Sequence, residues 1–142
     1  MLVRNYDYHP MLWDAVQLAT SWTGRRVIGM SDSLWGLLDG VNDDGLAVSL
    51  AFGGRKVVGV GFGMPLILRY VLETCRTVEE GVAALQRIPS HMSYNVTLLD
   101  AQGAYQTVYI APDRPPFVAH RAFATNHQRH IDWEAFAEAT AS

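Results

Sequence analysis

The sequence is short of cysteine, of clustered charge and of long apolar runs. Its single cysteine, Cys75, cannot form an internal disulfide, so the fold must rest on its core and fits a reducing compartment. The 11 basic and 14 acidic residues give a net charge of −3 without a long run of one sign, which argues against nucleic acid as a partner. No apolar stretch approaches the roughly 20 residues of a membrane span, and no basic-then-apolar signal opens the chain. We therefore expect a cytoplasmic protein with no nucleic-acid or membrane partner.

Common catalytic signatures are also missing, since the sequence contains no Gly-x-Ser-x-Gly, no phosphate-binding loop, no cysteine pair and no His-Glu-x-x-His. The glycines of residues 59–63 have the wrong spacing for a dinucleotide loop, so we predict no cofactor. His127 and His130 stand three residues apart with no carboxylate or thiol beside them, so we predict no metal. Cys75 ends an apolar segment with no base beside it in sequence, which favours a buried thiol over a nucleophile.

The apolar half of the 142 residues is enough to bury the core of one domain. Strand patterns come first, two helical patterns follow, and strands return, without regular β-α alternation, which favours an antiparallel α+β sandwich. The Thr77-Val78-Glu79-Glu80 capping box should start the second helix, and Pro89 should end it. The predicted strands are 2–8, 15–22, 27–30, 34–38, 46–52, 94–99, 105–110 and 117–124, the helices are 66–75, 78–88 and 131–142, and a proline-rich loop covers 112–116.

Residues 4–10 gather an arginine, a carboxylate, two phenols and an imidazole in a short stretch. On a regular strand Asp7 would face away from Arg4, Tyr6 and Tyr8, so a shared site requires a turn or bulge near Asp7. An edge strand protected by charges explains the same residues equally well.

Four motifs in order along the chain give a more specific indication. They are Arg-Asn-Tyr-Asp-Tyr at 4–8, Asp-Gly-Val-Asn-Asp-Asp-Gly-Leu-Ala-Val-Ser at 39–49, Gly-Phe-Gly-Met-Pro at 61–65 and Ala-Thr-Asn-His at 124–127. Together they resemble the penicillin acyltransferase family, which is related to choloylglycine hydrolases and penicillin V acylases. The resemblance implies an αββα N-terminal-nucleophile fold and an amidohydrolase or acyltransferase activity on linear amide C–N bonds. The implied substrates are small acyl amides, penicillin-like molecules or acyl-CoA.

In that family the nucleophile is a cysteine that becomes the first residue after autoproteolysis. Its own α-amine, with an unperturbed pKa of about 7.7 to 8.0, can accept the thiol proton. The resemblance places this cysteine upstream of Met1, whose thioether has no ionisable proton. We therefore expect residues 1–142 to be a single but incomplete domain, a fragment that is inactive alone and able to self-associate through exposed sheet edges.

The resemblance also implies roles for individual residues. Arg4 would lower the thiol pKa or hold a carboxylate, and Asp7 would orient the nucleophile's amine. Asn42 and Asn126 would line an oxyanion hole, although Asn42 before Asp-Asp-Gly fits an ordinary turn equally well.

Three aromatic residues complete the expected site. Tyr6, Tyr8 and Trp35 could line an acyl pocket, while aromatic residues in a small sandwich also serve as plain core. A non-catalytic binding module with the same fold is the alternative to a fragment of an enzyme.

Overall fold

The structure is a computed structural model that describes residues 1–128, so the predicted helix at 131–142 lies outside the described residues. It contains a short 3₁₀ turn at Pro10–Leu12, seven strands and two helices. The elements are β1 (Gln17–Thr20), β2 (Val27–Asp32), β3 (Gly36–Asn42), β4 (Ala47–Phe52), α1 (Met64–Thr74), α2 (Val78–Arg87), β5 (Tyr94–Leu99), β6 (Tyr105–Ala111) and β7 (Arg114–Ala119).

The seven strands form one antiparallel sheet in the order of the chain, β1 to β7. Both helices are inserted between β4 and β5, which nevertheless pair directly, with Ser49 opposite Thr97. Helix α1 packs on β3 and α2 packs on β6, so the helices cover one face of the sheet. The predicted α+β class and its antiparallel sheet are confirmed.

The side of the sheet that carries the helices holds the main core. Strand residues alternate between the two faces, so Val48, Leu50, Val96 and Leu98 point towards the helices and are buried. The other face, called here the open face, carries the alternate residues. Its centre is a polar row across β3 to β6 consisting of Asp39, Ser49, Thr97 and Thr107.

The helices form where the sequence predicts them. Pro65 occupies the first turn of α1, where its missing N–H removes no hydrogen bond, and apolar residues surround most of that helix. Arg69 and Glu73, the polar stripe of α1, are themselves buried as an ion pair with a 3.4 Å N–O distance. Thr77 caps α2 by accepting a hydrogen bond from the Glu80 amide at 3.3 Å. The Glu80 carboxylate accepts from the Arg76 amide, one residue earlier than a standard capping box requires.

Three local predictions are corrected. Residues 2–8 form no strand, and the strand predicted at 34–38 is instead β3 and continues to Asn42, so the turn before β4 is short. The proline-rich segment is not a loop, since Pro115 and Pro116 lie inside β7. Strand β7 is an edge strand and its register with β6 shifts near these prolines, so their missing N–H groups remove no regular ladder bond.

Candidate functional site

Arg4 lies on the open face of the sheet. Its Nε donates to the Asp39 carboxylate at 2.7 Å, and its guanidinium also stacks on the Tyr6 ring, 4.6 Å from the centroid. Its side chain is only 12% exposed, so the contact with Asp39 is partly shielded from solvent. Beside this ion pair an open trough of about 400 Å³ follows the sheet surface. Its lining includes Gln17, Ile28, Met30, Asp39, Val41 and Ser49.

An aromatic cluster adjoins Arg4. The ring of Tyr6 lies 6.0 Å from that of Tyr8 and 5.8 Å from that of Trp13. Tyr6 packs against the main core, whereas Tyr8 and Trp13 are exposed. Trp35 is also exposed and makes no ring contact with this cluster within the described part of the chain. The structure therefore brings Tyr6 and Tyr8 together and adds Trp13, which the sequence analysis did not select.

Two carboxylates next to the aromatic cluster, those of Asp14 and Asp32, were also not selected by the sequence analysis. Partial burial raises the pKa of Asp32, the nearby negative charge of Asp14 raises it further, and Arg4 opposes both. Burial is likewise the main cause of the raised pKa of Tyr6, with Asp32 next. The residue pattern does not predict that these two aspartates lie close together, because a tight turn brings them together. Its residues Ser33 and Leu34 have positive φ, and the Leu34 amide donates to Asp14 at 3.1 Å.

Asn126 is exposed and its side chain forms no hydrogen bond with residues 1–128. The backbone on either side of it is held by Asn95, whose Nδ2 donates to Thr125 O at 2.7 Å and to His127 O at 3.2 Å. Thr125 and His127 also form an isolated antiparallel bridge, so the segment 125–127 is a defined turn. The side-chain amide of Asn126 is thus held on a defined turn, and neither of its hydrogens is used by a partner within residues 1–128.

The strand register places Arg4 and Asn126 over the same face. Asp39, which binds Arg4, is paired with Ser49, and Asn95, which holds the Asn126 turn, is paired with Ala51 two residues further along β4. These positions alternate onto the open face. With strands about 4.8 Å apart and a rise of about 3.4 Å per residue, the Cα atoms of Asp39 and Asn95 are on the order of 12 Å apart. The two ends of the described chain therefore converge on the open face.

Asn42 does not lie on the open face with Arg4 and Asn126. It points to the helix side, where Nδ2 donates to Leu72 O at 2.9 Å and Cys75 O at 2.7 Å, and Oδ1 accepts from the Leu46 amide at 3.0 Å. Both donor hydrogens are in use and the residue is 4% exposed. The expected pairing of Asn42 with Asn126 is corrected, because the sheet separates them and Asn42 links α1 to the β3–β4 turn.

Asp7 and Cys75 occupy contrasting environments. Asp7 is exposed in an irregular segment and accepts no hydrogen bond from residues 1–128. Cys75 is buried, and burial raises the pKa of its thiol, which disfavours the nucleophilic thiolate. The predicted burial of the Cys75 thiol is confirmed, and its low reactivity stays a prediction.

Two kinds of feature are absent from residues 1–128, a cluster of metal-ligand side chains and an apolar helix of membrane-spanning length. No three His, Cys, Asp or Glu side chains of this region converge as a metal site. In the same region no helix is long and apolar enough to cross a bilayer.

Similar folds occur in solved structures. Penicillin V acylase from Agrobacterium tumefaciens matches with a TM-score of 0.62 and 20% identity, over 85% of this chain and 44% of that one. Conjugated bile acid hydrolase from Clostridium perfringens matches with a TM-score of 0.55 and 17% identity, over 86% and 45%. An N-acylethanolamine-hydrolyzing acid amidase ortholog from Caenorhabditis elegans matches with a TM-score of 0.57 and 19% identity, over 89% and 64%.

These matches show a shared fold, and the chain spans less than half of the first two proteins. No curated protein matches the sequence. The sequence model of the acyl-coenzyme A:6-aminopenicillanic acid acyl-transferase family matches residues 1–140, nearly all of the chain. The protein therefore belongs to the acyl-coenzyme A:6-aminopenicillanic acid acyl-transferase family.

Proposed function

We propose that these 142 residues form the part of a cysteine amidohydrolase or acyltransferase that orients the reacting groups, and that the nucleophile comes from polypeptide outside them. The proposed substrates are small molecules with a linear amide bond, such as acyl amides or penicillin-like compounds, or an acyl-CoA donor. The observation that carries the proposal is the family match over residues 1–140. The three solved proteins with similar folds, which are named as an acylase, a hydrolase and an amidase, support the same class of reaction.

Arg4 and Asn126 over the open face, together with Asp7 in the irregular segment that follows Arg4, have side chains that suit this chemistry. In the proposed reaction a cysteine thiolate attacks the amide carbonyl, the C–N bond breaks, and the amine leaves with a proton while a thioester forms. Water or an acceptor amine then takes the acyl group and frees the thiol. Arg4 would stabilise the thiolate, and Asp7 would orient the α-amine that takes the thiol proton. Asn126 would donate to the developing oxyanion, a contribution of about 3 to 4 kcal/mol to the transition state.

The acyl group would lie near Arg4. Tyr6 and Tyr8, with Trp13, offer an apolar wall beside the ion pair, and the trough on the open face begins at the same place. Trp35 would line a different part of the acyl pocket, because its ring is exposed but makes no contact with the cluster of Tyr6, Tyr8 and Trp13 within residues 1–128.

The first test is the polypeptide translated from the complete reading frame. Hydrolysis of acyl amino acids and penicillin V, and acyl transfer from acyl-CoA to an amine, would be measured in the wild type and in the Asn126→Ala and Arg4→Leu variants. We expect a loss of roughly 100-fold or more in kcat for Asn126→Ala. Asn5→Ala, an exposed asparagine beside Arg4 with no hydrogen bond to residues 1–128, is the matched control. Undiminished turnover in Asn126→Ala would contradict the proposed site.

A non-catalytic binding module is the second candidate. It is favoured because the Met1 thioether has no ionisable proton and the Cys75 thiol is buried, so neither of these two sulfur atoms is an activated nucleophile. Calorimetric titration of the 142-residue chain with an acyl amino acid or a β-lactam tests it. Saturable binding without turnover, from the complete reading frame as well, would establish the module, and turnover by that longer polypeptide would exclude it.

A further inference from the structure

One buried side chain on the open face has no role in the reaction proposed above. Asn95 is fully buried in β5, at 0% exposure, and its Oδ1 has no hydrogen-bond partner among the described residues. A buried acceptor without a hydrogen-bond partner destabilises a fold, so the stability of β5 does not by itself explain an asparagine at this position. Its amide nitrogen, in contrast, uses both hydrogens, and both go to the turn that carries Asn126.

The two bonds flank Asn126 symmetrically. Thr125 O lies 2.7 Å from Asn95 Nδ2 and His127 O lies 3.2 Å from it, so one rigid planar group fixes the carbonyls before and after Asn126. Asn95 stands 30 residues from Thr125 in sequence and belongs to a central strand. These hydrogen bonds anchor the turn to a central strand, so the turn is more rigid than an ordinary surface loop.

Gln128 and Gly54 also restrain the turn that carries Asn126. Gln128, 2% exposed, donates from Nε2 to Tyr94 O and Ile110 O, each at 3.1 Å, and accepts from the Ser93 hydroxyl at 3.0 Å. From the other side Gly54, with φ of +80°, passes so close that a Cβ there would overlap the Asn126 carbonyl oxygen. Asn95 therefore holds the turn by hydrogen bonds, Gln128 anchors the residue that follows it, and Gly54 packs directly against it.

We propose that Asn95 is a positioning residue that holds Asn126 as an oxyanion donor by fixing both adjacent carbonyls with its amide group. This inference rests on the proposed function of Asn126. Asn95 touches no reacting atom in this scheme and acts only through the turn. A misplaced donor is costly, because a displacement of about 1 Å can lower a rate roughly 100-fold.

The test is a double-mutant cycle in the polypeptide from the complete reading frame. The Asn95→Asp variant keeps the shape of the side chain but replaces the donating NH₂ with an acceptor that faces two carbonyls. We expect its kcat to fall roughly 10- to 100-fold with KM nearly unchanged. Because Asn95 acts through Asn126, adding Asn95→Asp to Asn126→Ala should lower kcat little further.

A matched control separates positioning from general damage. Thr97→Val removes a buried hydrogen bond, the 3.0 Å contact with Thr107, from the same strand and the same face two residues away. It should leave kcat within about twofold, while amide hydrogen exchange of residues 125–128 should accelerate in Asn95→Asp only.

The outcomes distinguish the two proposals. If Asn126→Ala abolishes turnover while Asn95→Asp leaves kcat and exchange unchanged, the positioning role is overturned and the proposed function stands. If Asn126→Ala is as active as the wild type, the proposed function fails and the positioning role fails with it. If the two substitutions act additively, Asn95 does not work through Asn126, and that also overturns the inference.

Discussion

At the scale of single residues, two asparagines from similar turn-like sequence contexts have opposite surroundings. Asn42 is buried on the helix side with its amide group fully hydrogen-bonded, and Asn126 is exposed on the open face with its amide free of described partners. A motif gives residue type and spacing, but it does not say on which side of a sheet the side chain lies. The strand register decides that.

The first prediction concerns Asn42. Replacing it by alanine leaves Leu72 O, Cys75 O and the Leu46 amide without their partner in a buried place. We expect Asn42→Ala to lower the free energy of unfolding by about 3 kcal/mol, as measured by urea denaturation. The matched control Asn5→Ala, at an exposed site, should change it by less than about 0.5 kcal/mol. Equal stability of the two variants would show that the Asn42 bonds contribute nothing.

The second prediction concerns Cys75. Its side chain is buried, and burial raises the pKa of the thiol, so the fraction of thiolate at pH 8 is lower than for a free cysteine. Iodoacetamide should therefore leave the folded protein unlabelled at pH 8 and label it fully in denaturant, as followed by mass spectrometry. Rapid labelling of the folded chain would restore Cys75 as a candidate nucleophile.

At the scale of elements, the segment after β4 is tied to the turn between β6 and β7. Arg55 is 3% exposed and binds the Asp113 carboxylate through two nitrogens, at 3.1 and 2.5 Å. Hydrogen bonds from Arg55 hold the pKa of Asp113 below its ordinary value. Gly54, which borders the Asn126 turn, is the neighbour of Arg55, so this ion pair also fixes one wall of the candidate site.

The third prediction follows from this pair. Asp113→Asn leaves the buried guanidinium without its carboxylate and should destabilise the fold by about 1 to 3 kcal/mol, less than for a fully buried pair because Asp113 is partly exposed. Asp43→Asn, which breaks the exposed pair with Arg26, is the control and should have little effect.

The pH dependence of stability checks the same interaction. Because the folded pKa of Asp113 is depressed, its stabilisation is present above its unfolded pKa of about 3.9 and is lost as pH falls through the lower folded value. The stability difference between the wild type and Asp113→Asn should therefore shrink in acid. If this stability difference does not change with pH, the destabilisation by Asp113→Asn comes from altered packing and not from the lost charge.

At the scale of the whole molecule, the sheet is asymmetric. One face is covered by two helices, while the open face exposes apolar side chains near Arg4, including Ile28 at 48% and Val41 at 43%. These two residues are paired across β2 and β3, so they form a continuous apolar patch in the lining of the trough. Exposed apolar surface of this kind favours association.

The fourth prediction is that the 142-residue chain self-associates through this patch. Val41→Glu places a charge at its centre without entering the core, so it should shift the chain towards monomer in sedimentation velocity while leaving the circular dichroism spectrum unchanged. Leu66→Glu, an exposed apolar residue on α1 at 43%, is the control on the helix side and should not change the association state. Equal effects of both substitutions would rule out the open face as the contact.

The two helices, one hairpin and the family can be predicted from local sequence patterns and motifs. Apolar periodicity, the Thr77 cap and Pro65 predict α1 and α2 because these signals act within a few residues, and the four ordered motifs indicate the family that the match over residues 1–140 then shows. The hairpin of β5 and β6 follows for the same reason, since its turn and its alternation are local.

Contacts between residues far apart in the sequence could not be predicted in this way. Asn95 and Thr125 are 30 residues apart, and Arg4 and Asp39 are 35 apart, so their contacts depend on strand order and register and leave no periodic signal in the sequence. Pro115 and Pro116 are accommodated in β7 because β7 lies at the sheet edge, a position that composition does not show. The separation of Asn42 from Asn126 has the same origin, because one residue of register decides whether a strand side chain faces the helices or the open face.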